Sequence, residues 1–258
     1  MNRITRLFES KKQGGILSVY FTAGYPSLND TAPILEALES HGVDMAEIGI
    51  PFSDPMADGP VIQQSSAQAL RNGMSLRLLF EQLADIRRTV DIPLLLMGYL
   101  NPVMQYGFEA FCRSCKAVGI DGMIIPDLPF ADYMANYKNV AESLDLKVVM
   151  LVTPETSDAR IRLIDRHTDG FIYMVSSASV TGVQQDFDEA RQSYFRRIHA
   201  MNLRNPRLIG FGVSNKATFD AALAHASGAI IGSRFVRLLA ETASPAEAVE
   251  KLQEAISV

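Results

Sequence analysis

The chain has 258 residues, 48% of them hydrophobic and 21% charged, which are the proportions of a globular protein rather than a disordered or membrane-embedded one. Its formal net charge is −5, and the basic pairs Arg87-Arg88 and Arg196-Arg197 stand apart with no long Lys/Arg run, which disfavours nucleic acid or an anionic membrane as partner. The N-terminal stretch M-N-R-I-T-R-L-F-E-S-K-K lacks an apolar core and no apolar run approaches a membrane span, so the expected location is the cytoplasm.

The predicted elements begin with a helical pattern carrying Ile4, Leu7 and Phe8. Short runs rich in Val, Ile and Leu then alternate with amphipathic stretches along the whole chain, the rhythm of a parallel sheet. Strands are expected at I-L-S-V-Y-F-T-A-G (16 to 24), M-A-E-I-G-I-P-F (45 to 52), P-L-L-L-M-G-Y-L (93 to 100) and G-M-I-I-P-D-L (122 to 128). They continue with K-V-V-M-L-V-T (147 to 153), G-F-I-Y-M-V-S (170 to 176), R-L-I-G-F-G-V (207 to 213) and G-A-I-I-G-S (228 to 233). Between them, segments such as T-A-P-I-L-E-A-L-E-S-H-G place apolar residues at i, i+3, i+4 and i+7.

Eight βα units in about 250 residues fit a closed (β/α)8 TIM barrel better than a doubly wound open sheet. No linker or composition shift divides residues 1–258, so one domain is expected, with the extra N-terminal helix over the bottom of the barrel. Cys112 and Cys115 form C-R-S-C inside a helical pattern, and His41, His167, His199 and His225 are scattered. The pair reads as inert, and no metal site is expected.

A barrel of this kind carries its chemistry at the C-terminal ends of the strands. G-F-G-V-S (210 to 214) and I-G-S-R-F (231 to 235) follow the seventh and eighth strands, where glycine-rich loops and a helix N-terminus hold phosphate. Ser233 with the amides of Gly212 and Gly232 forms the expected cradle, with Arg234 beside it, so the substrate is expected to be a small phosphorylated molecule. In the second strand, alternation puts Glu47 on one face with Met45 and Gly49, projecting into the barrel, where desolvation suits a carboxylate to general acid/base work. Asp58 follows in a loop stiffened by Pro51, Pro55 and Pro60, and the long small-residue segment S-S-A-S-V-T-G-V-Q-Q-D-F-D-E-A after the sixth strand reads as a lid.

These residues resemble the tryptophan synthase alpha chain family. E-I-G-I-P-F-S-D-P-M-A-D-G-P matches its signature segment nearly throughout, Y-x-x-S-x-x-x-V-T-G begins at Tyr173, and both phosphate loops are in place. The resemblance implies retro-aldol cleavage of indole-3-glycerol phosphate to indole and glyceraldehyde 3-phosphate, with Glu47 as acid/base and Asp58 accepting from the indole N–H. It also implies that Thr181, with Gly182 in the lid, pairs with Asp58 on closure, that Tyr173 stands near the reacting carboxylate, and that Phe21, Tyr99, Leu128 and Phe211 line the indole slot. No cofactor is implied in this chain; the implied partner is a pyridoxal-phosphate β chain in an α2β2 heterotetramer, met by the loop with Asp54 and Pro55. The sequence departs from the family pattern at Ser177 and Ser179, where many members carry arginine and glycine, and at Ala46. Two other readings fit the same residues: a stand-alone indole-3-glycerol-phosphate lyase, and a weakly catalytic phosphosugar-binding barrel that activates a partner enzyme.

Overall fold

The computed structural model describes residues 1–176 and 187–257. Eight parallel strands pair in chain order and close on themselves: β1 (Ile16–Thr22), β2 (Met45–Gly49), β3 (Leu94–Met97), β4 (Gly122–Ile124), β5 (Lys147–Val152), β6 (Ile172–Val175), β7 (Arg207–Gly210) and β8 (Gly228–Ile231), with β8 beside β1. The expected (β/α)8 barrel is therefore present. Each strand ends earlier than its apolar run, and the leftover residues become the loops of the C-terminal face. In β4 the run continues to Leu128 but pairing stops at Ile124, because Pro126 has no N–H for a ladder and the chain turns, with Leu128 N–H donating to Ile125 O.

Strand alternation divides the interior into two apolar layers. Val19, Phe21, Ile48, Leu96, Met123, Val148, Met174 and Ile209 face the helices, with Ile34, Leu35, Leu38 and Phe111 opposite them. Ile16, Met45, Leu95, Ile124, Val149, Leu208 and Ile230 fill the barrel itself. Both faces of every strand are thus buried, which is why the strands read as continuous apolar runs. No helix among the described residues is long and apolar enough to cross a membrane.

The N-terminal helix Arg3–Ser10 plugs the bottom, as expected. Ile4 joins the barrel core, and the Phe8 ring lies 5.8 Å from that of Phe171. Asn2 caps this helix by accepting from Ile4 N–H and ties it down by donating to Asp121 O and Asp145 O. Around it, the buried Asp121 carboxylate accepts from Arg87 at 2.5 Å, from Arg3 at 3.3 Å and from the amide of Leu94 at 3.0 Å. Arg87 completes its fork on the carbonyls of Gly119, Val90 and Ile92.

Two glycines set the width of the top of the barrel. A Cβ at Gly49 would fall on the Tyr20 hydroxyl, and one at Gly210 on the Tyr173 hydroxyl. The two phenols therefore fit inside the barrel only because β2 and β7 end in glycine.

The bottom network makes a stability prediction. Asp121→Ala leaves the Arg87 guanidinium in a largely buried site without its anion and should cost about 3–5 kcal/mol in urea unfolding. Asp91→Ala removes only the exposed pairs to Arg3 and Arg6 and should cost less than about 1 kcal/mol. Equal losses for the two variants would defeat this account.

Candidate active site

The C-terminal mouth of the barrel opens into a cavity of about 240 Å³. Tyr20, Met97, Tyr173, Phe211 and Ile230 give it an apolar body, and Gly212, Gly232, Ser233, Arg234 and Arg237 form its polar end. Such a combination suits a flat apolar ring carrying an anionic tail.

The polar end follows from local backbone chemistry. Phe211 and Gly212 both take left-handed conformations, with φ of +64° and +86°, so the β7 loop turns sharply back toward the cavity. Ser176 Oγ donates to Phe211 O and fixes that turn from the end of β6. Ser233 opens the helix Ser233–Glu241, whose preceding residue, Gly232, supplies no side-chain cap. The first N–H groups of that helix and the positive end of its dipole thus point at the cavity, with Arg234 and Arg237 on the same helix. Ser214, in the same wall, has a buried Oγ with no hydrogen-bond partner among the described residues. Together these are the elements of an anion cradle.

Two carboxylates adjoin residues of the cavity wall without lining it. Glu47 is fully buried on the inner face of β2, in register with Tyr20 of β1 and Leu95 of β3. Its Oε1 accepts from Ser18 Oγ at 2.9 Å, and its Oε2 has no partner among the described residues. Burial pushes its pKa up to about 8, against the opposing pull of the Ser18 hydrogen bond. Glu47 does not itself line the cavity; Tyr20 and Tyr173 do, and burial together with the charges of Glu47 and Asp58 holds both phenols far above their ordinary pKa.

Asp58 is half-buried, and burial raises its pKa while the Tyr99 hydroxyl, donating to Oδ2 at 2.9 Å, lowers it. The same Tyr99 oxygen accepts from Ala57 N–H at 2.9 Å, so one phenol clamps the loop and the carboxylate together. Phe52 packs against the Tyr99 ring at 5.3 Å, and Gln63 donates to Asp58 O at 2.9 Å. Asp54 is exposed and Pro55 half-exposed at the outer edge of this loop, beside Met56, which is 89% exposed.

The structure corrects two expected pocket residues. Phe21 is completely buried in the outer layer against the helices, because alternation in β1 turns Ser18 and Tyr20 inward and Val19 and Phe21 outward; the aromatic ring at the cavity is Tyr20. Leu128 lies beyond the end of β4, packs in the outer layer and lines a separate groove with Phe130 and Arg160, while Ile124 is the inward residue of that strand. Tyr99 touches the site through Asp58 rather than through the cavity wall. Phe211, Tyr173, Gly212, Gly232 and Ser233 all line the cavity. Thr181, Gly182, Ser177 and Ser179 lie outside the described residues.

Sequence reasoning missed Ser18, Tyr20, Met97, Ile230 and Arg237. The first two had a signal: the inward parity that placed Glu47 also applies to the neighbouring strand. Among the described residues no group of three or more His, Cys, Asp or Glu is placed to hold a metal ion. Cys112 and Cys115 are buried and unbridged, and burial pushes the Cys112 thiol up to about 12, the state of an inert helical pair.

The profile of the family described as tryptophan synthase alpha chain matches residues 8–257. The chain belongs to the tryptophan synthase alpha chain family. It is 71% identical to the tryptophan synthase alpha chain of Parabacteroides distasonis over 99% of both chains. Among solved structures, the tryptophan synthase alpha chain of Legionella pneumophila superposes with a TM-score of 0.87 at 30% identity, covering 100% of this chain and 98% of that one. A chain of tryptophan synthase from M. tuberculosis in an aminoacrylate-bound form superposes with a TM-score of 0.85 at 28% identity, covering 99% of each chain. The alpha chain family thus accounts for the whole barrel, from the N-terminal plug to the last helix.

The raised pKa of Glu47 has a consequence for stability in this alpha chain fold. An unfolded glutamate titrates near 4.5 and the folded one near 8, so between these values the folded state holds a proton that the unfolded state has lost. The contribution of this proton is complete below pH 4.5 and declines by about 1.4 kcal/mol per pH unit as the pH rises toward 8. Glu47→Gln should remove this decline, so that urea unfolding at pH 5 and pH 8 differs less in the variant than in the parent. Identical pH slopes would show that Glu47 does not carry the burial cost assigned to it.

Proposed function

We propose that this chain acts as an alpha subunit of tryptophan synthase: a carbon-carbon lyase that cleaves indole-3-glycerol phosphate to indole and D-glyceraldehyde 3-phosphate in tryptophan biosynthesis. The observation that carries the reading is an anion cradle in an apolar cavity whose wall includes Tyr20 and Tyr173, the two phenols whose pKa the fully buried carboxylate Glu47 helps to raise. Substrate phosphate sits against the amides of Gly212, Gly232 and Ser233, and the indole ring lies among Tyr20, Met97, Phe211 and Ile230.

The chemistry needs a proton at indole C3 and the loss of a proton from the adjacent glycerol hydroxyl. A carboxyl group with a pKa near 8 is largely protonated at neutral pH, so Glu47 delivers its proton to C3 and then takes the hydroxyl proton as the C–C bond breaks. The bonding electrons return to the ring, the aldehyde carbonyl forms, and Glu47 ends protonated again, carrying the hydroxyl proton in place of the one now on C3. Asp58 accepts the indole N–H, stabilising the positive ring nitrogen while C3 is protonated. Tyr173 holds a neutral hydroxyl beside Glu47, and Thr181 and Gly182 complete the enclosure from the lid.

The reading extends to a partner. Asp54, Pro55 and the exposed Met56 form the outer edge of the loop whose inner end holds Asp58, so a chain docking there touches the catalytic loop directly. The partner is the pyridoxal-phosphate-dependent β chain, which takes up indole in an α2β2 heterotetramer. The alpha chain works as a single cytoplasmic domain with no cofactor of its own.

The test is indole release from indole-3-glycerol phosphate, with and without β chain. The chain contains no Trp, so indole fluorescence has no tryptophan background. Glu47→Gln and Asp58→Asn should each lower turnover at least about 100-fold with an unchanged circular dichroism spectrum. Turnover within a few-fold of the parent in Glu47→Gln would remove the mechanism. High activity of the isolated chain that β chain leaves unchanged would favour a stand-alone lyase, and binding of glyceraldehyde phosphate without any cleavage would favour a phosphosugar-binding activator.

A further inference from the structure

Ser18 sits on the inner face of β1, two residues before Tyr20, and is completely buried. Its hydroxyl donates to Glu47 Oε1 across 2.9 Å, and no other side chain among the described residues bonds either carboxylate oxygen. The neighbours of the carboxylate on the adjacent strands are Ser18 and Tyr20 from β1 and Leu95 from β3, and Tyr173 from β6 interacts with its charge. None of these is a cation, and both phenols stay neutral.

The sequence reading absorbed Ser18 into an apolar strand and gave it no role. Inside the barrel, however, a carboxylate with a single donor depends on that donor for two properties. The terminal torsion of a glutamate is broad, so one hydrogen bond selects which oxygen is held and which is free. A donor to the charged form also lowers the proton affinity that burial raises.

We infer that Ser18 is a positioning residue for Glu47: it fixes Oε1 and leaves Oε2 as the oxygen that exchanges protons with the substrate. The inference rests on the proposed acid/base role of Glu47. It adds that the pH at which Glu47 changes state is set by a contact from the neighbouring strand and not by burial alone.

The test is a carboxyl 13C NMR titration of the full chain, with the Glu47 signal identified by its loss in Glu47→Gln. Ser18→Ala removes the donor, Ser18→Cys fills the same space with a weak donor, and Ser18→Thr keeps the hydroxyl. The Glu47 midpoint should rise by about one pH unit in the Ala and Cys variants and stay near the parental value in the Thr variant. In the complex with β chain, the limb of kcat/KM against pH that shares this midpoint should move by the same amount, since kcat/KM reports groups of the free enzyme. A midpoint that stays fixed in both Ala and Cys variants, or a kcat/KM profile that ignores a moved midpoint, overturns the inference. Should Ser18→Ala fail to fold, the Cys and Thr pair decides it. Retained turnover in Glu47→Gln would instead defeat the proposed function, and the titration would still judge the Ser18 contact.

Discussion

Glu47 lies in the interior of this barrel with, among the described residues, one side-chain hydrogen bond and no cation paired with it. Such a group favours the neutral acid at neutral pH, because burial penalises its charged form. The two apolar layers, packed on both faces of every strand, supply the low-polarity surroundings that impose this choice. The same packing that closes the barrel therefore also keeps this carboxyl group protonated at neutral pH.

The opposite end of the barrel treats a buried carboxylate in the contrary way. Asp121 receives two guanidinium groups and a backbone amide, and Arg87 spends its remaining donors on three carbonyls. A fully matched carboxylate of this sort anchors the N-terminal plug. One architecture thus carries a matched carboxylate at the bottom, where it serves stability, and an unmatched one nearer the top, where chemistry is done. Gly49 and Gly210 belong to the same division, since each gives up side-chain packing so that the hydroxyl of Tyr20 or Tyr173 can occupy the upper barrel.

The strands and their order were legible because a parallel barrel writes itself as apolar runs alternating with amphipathic helices. Glu47 was legible because one charged residue in such a run must face inward or outward, and parity decides which. Phe21 and Leu128 were misplaced for related reasons. An aromatic side chain near a strand end is attractive as a pocket wall, yet in β1 the inward parity belongs to Ser18 and Tyr20, and β4 ends at Ile124 before Leu128 is reached. The cradle was legible from glycines at the ends of β7 and β8, while Arg237 was not, because an arginine one turn into a helix reads as a solvated face. Naming the reaction required the family signature, since a buried acid beside an anion cradle fits more than one phosphorylated substrate.

Glu47 and Asp58 differ in what surrounds them, and that difference supports the separate roles proposed for them. Asp58 lies in a proline-bounded loop at the half-exposed mouth, where burial raises its pKa and the hydrogen bond from the Tyr99 hydroxyl works against that rise. Glu47 is sealed in the barrel and reaches neutral pH with its proton on. Environments that separate the pKa values of two carboxylates sort them into acid and charge stabiliser. Tyr99 also accepts from the Ala57 amide, so one hydroxyl joins the Asp58 carboxylate to the backbone of the loop whose outer edge carries Asp54 and Pro55. A chain bound at that edge would meet the loop that carries Asp58 while the buried Glu47 stays out of its reach.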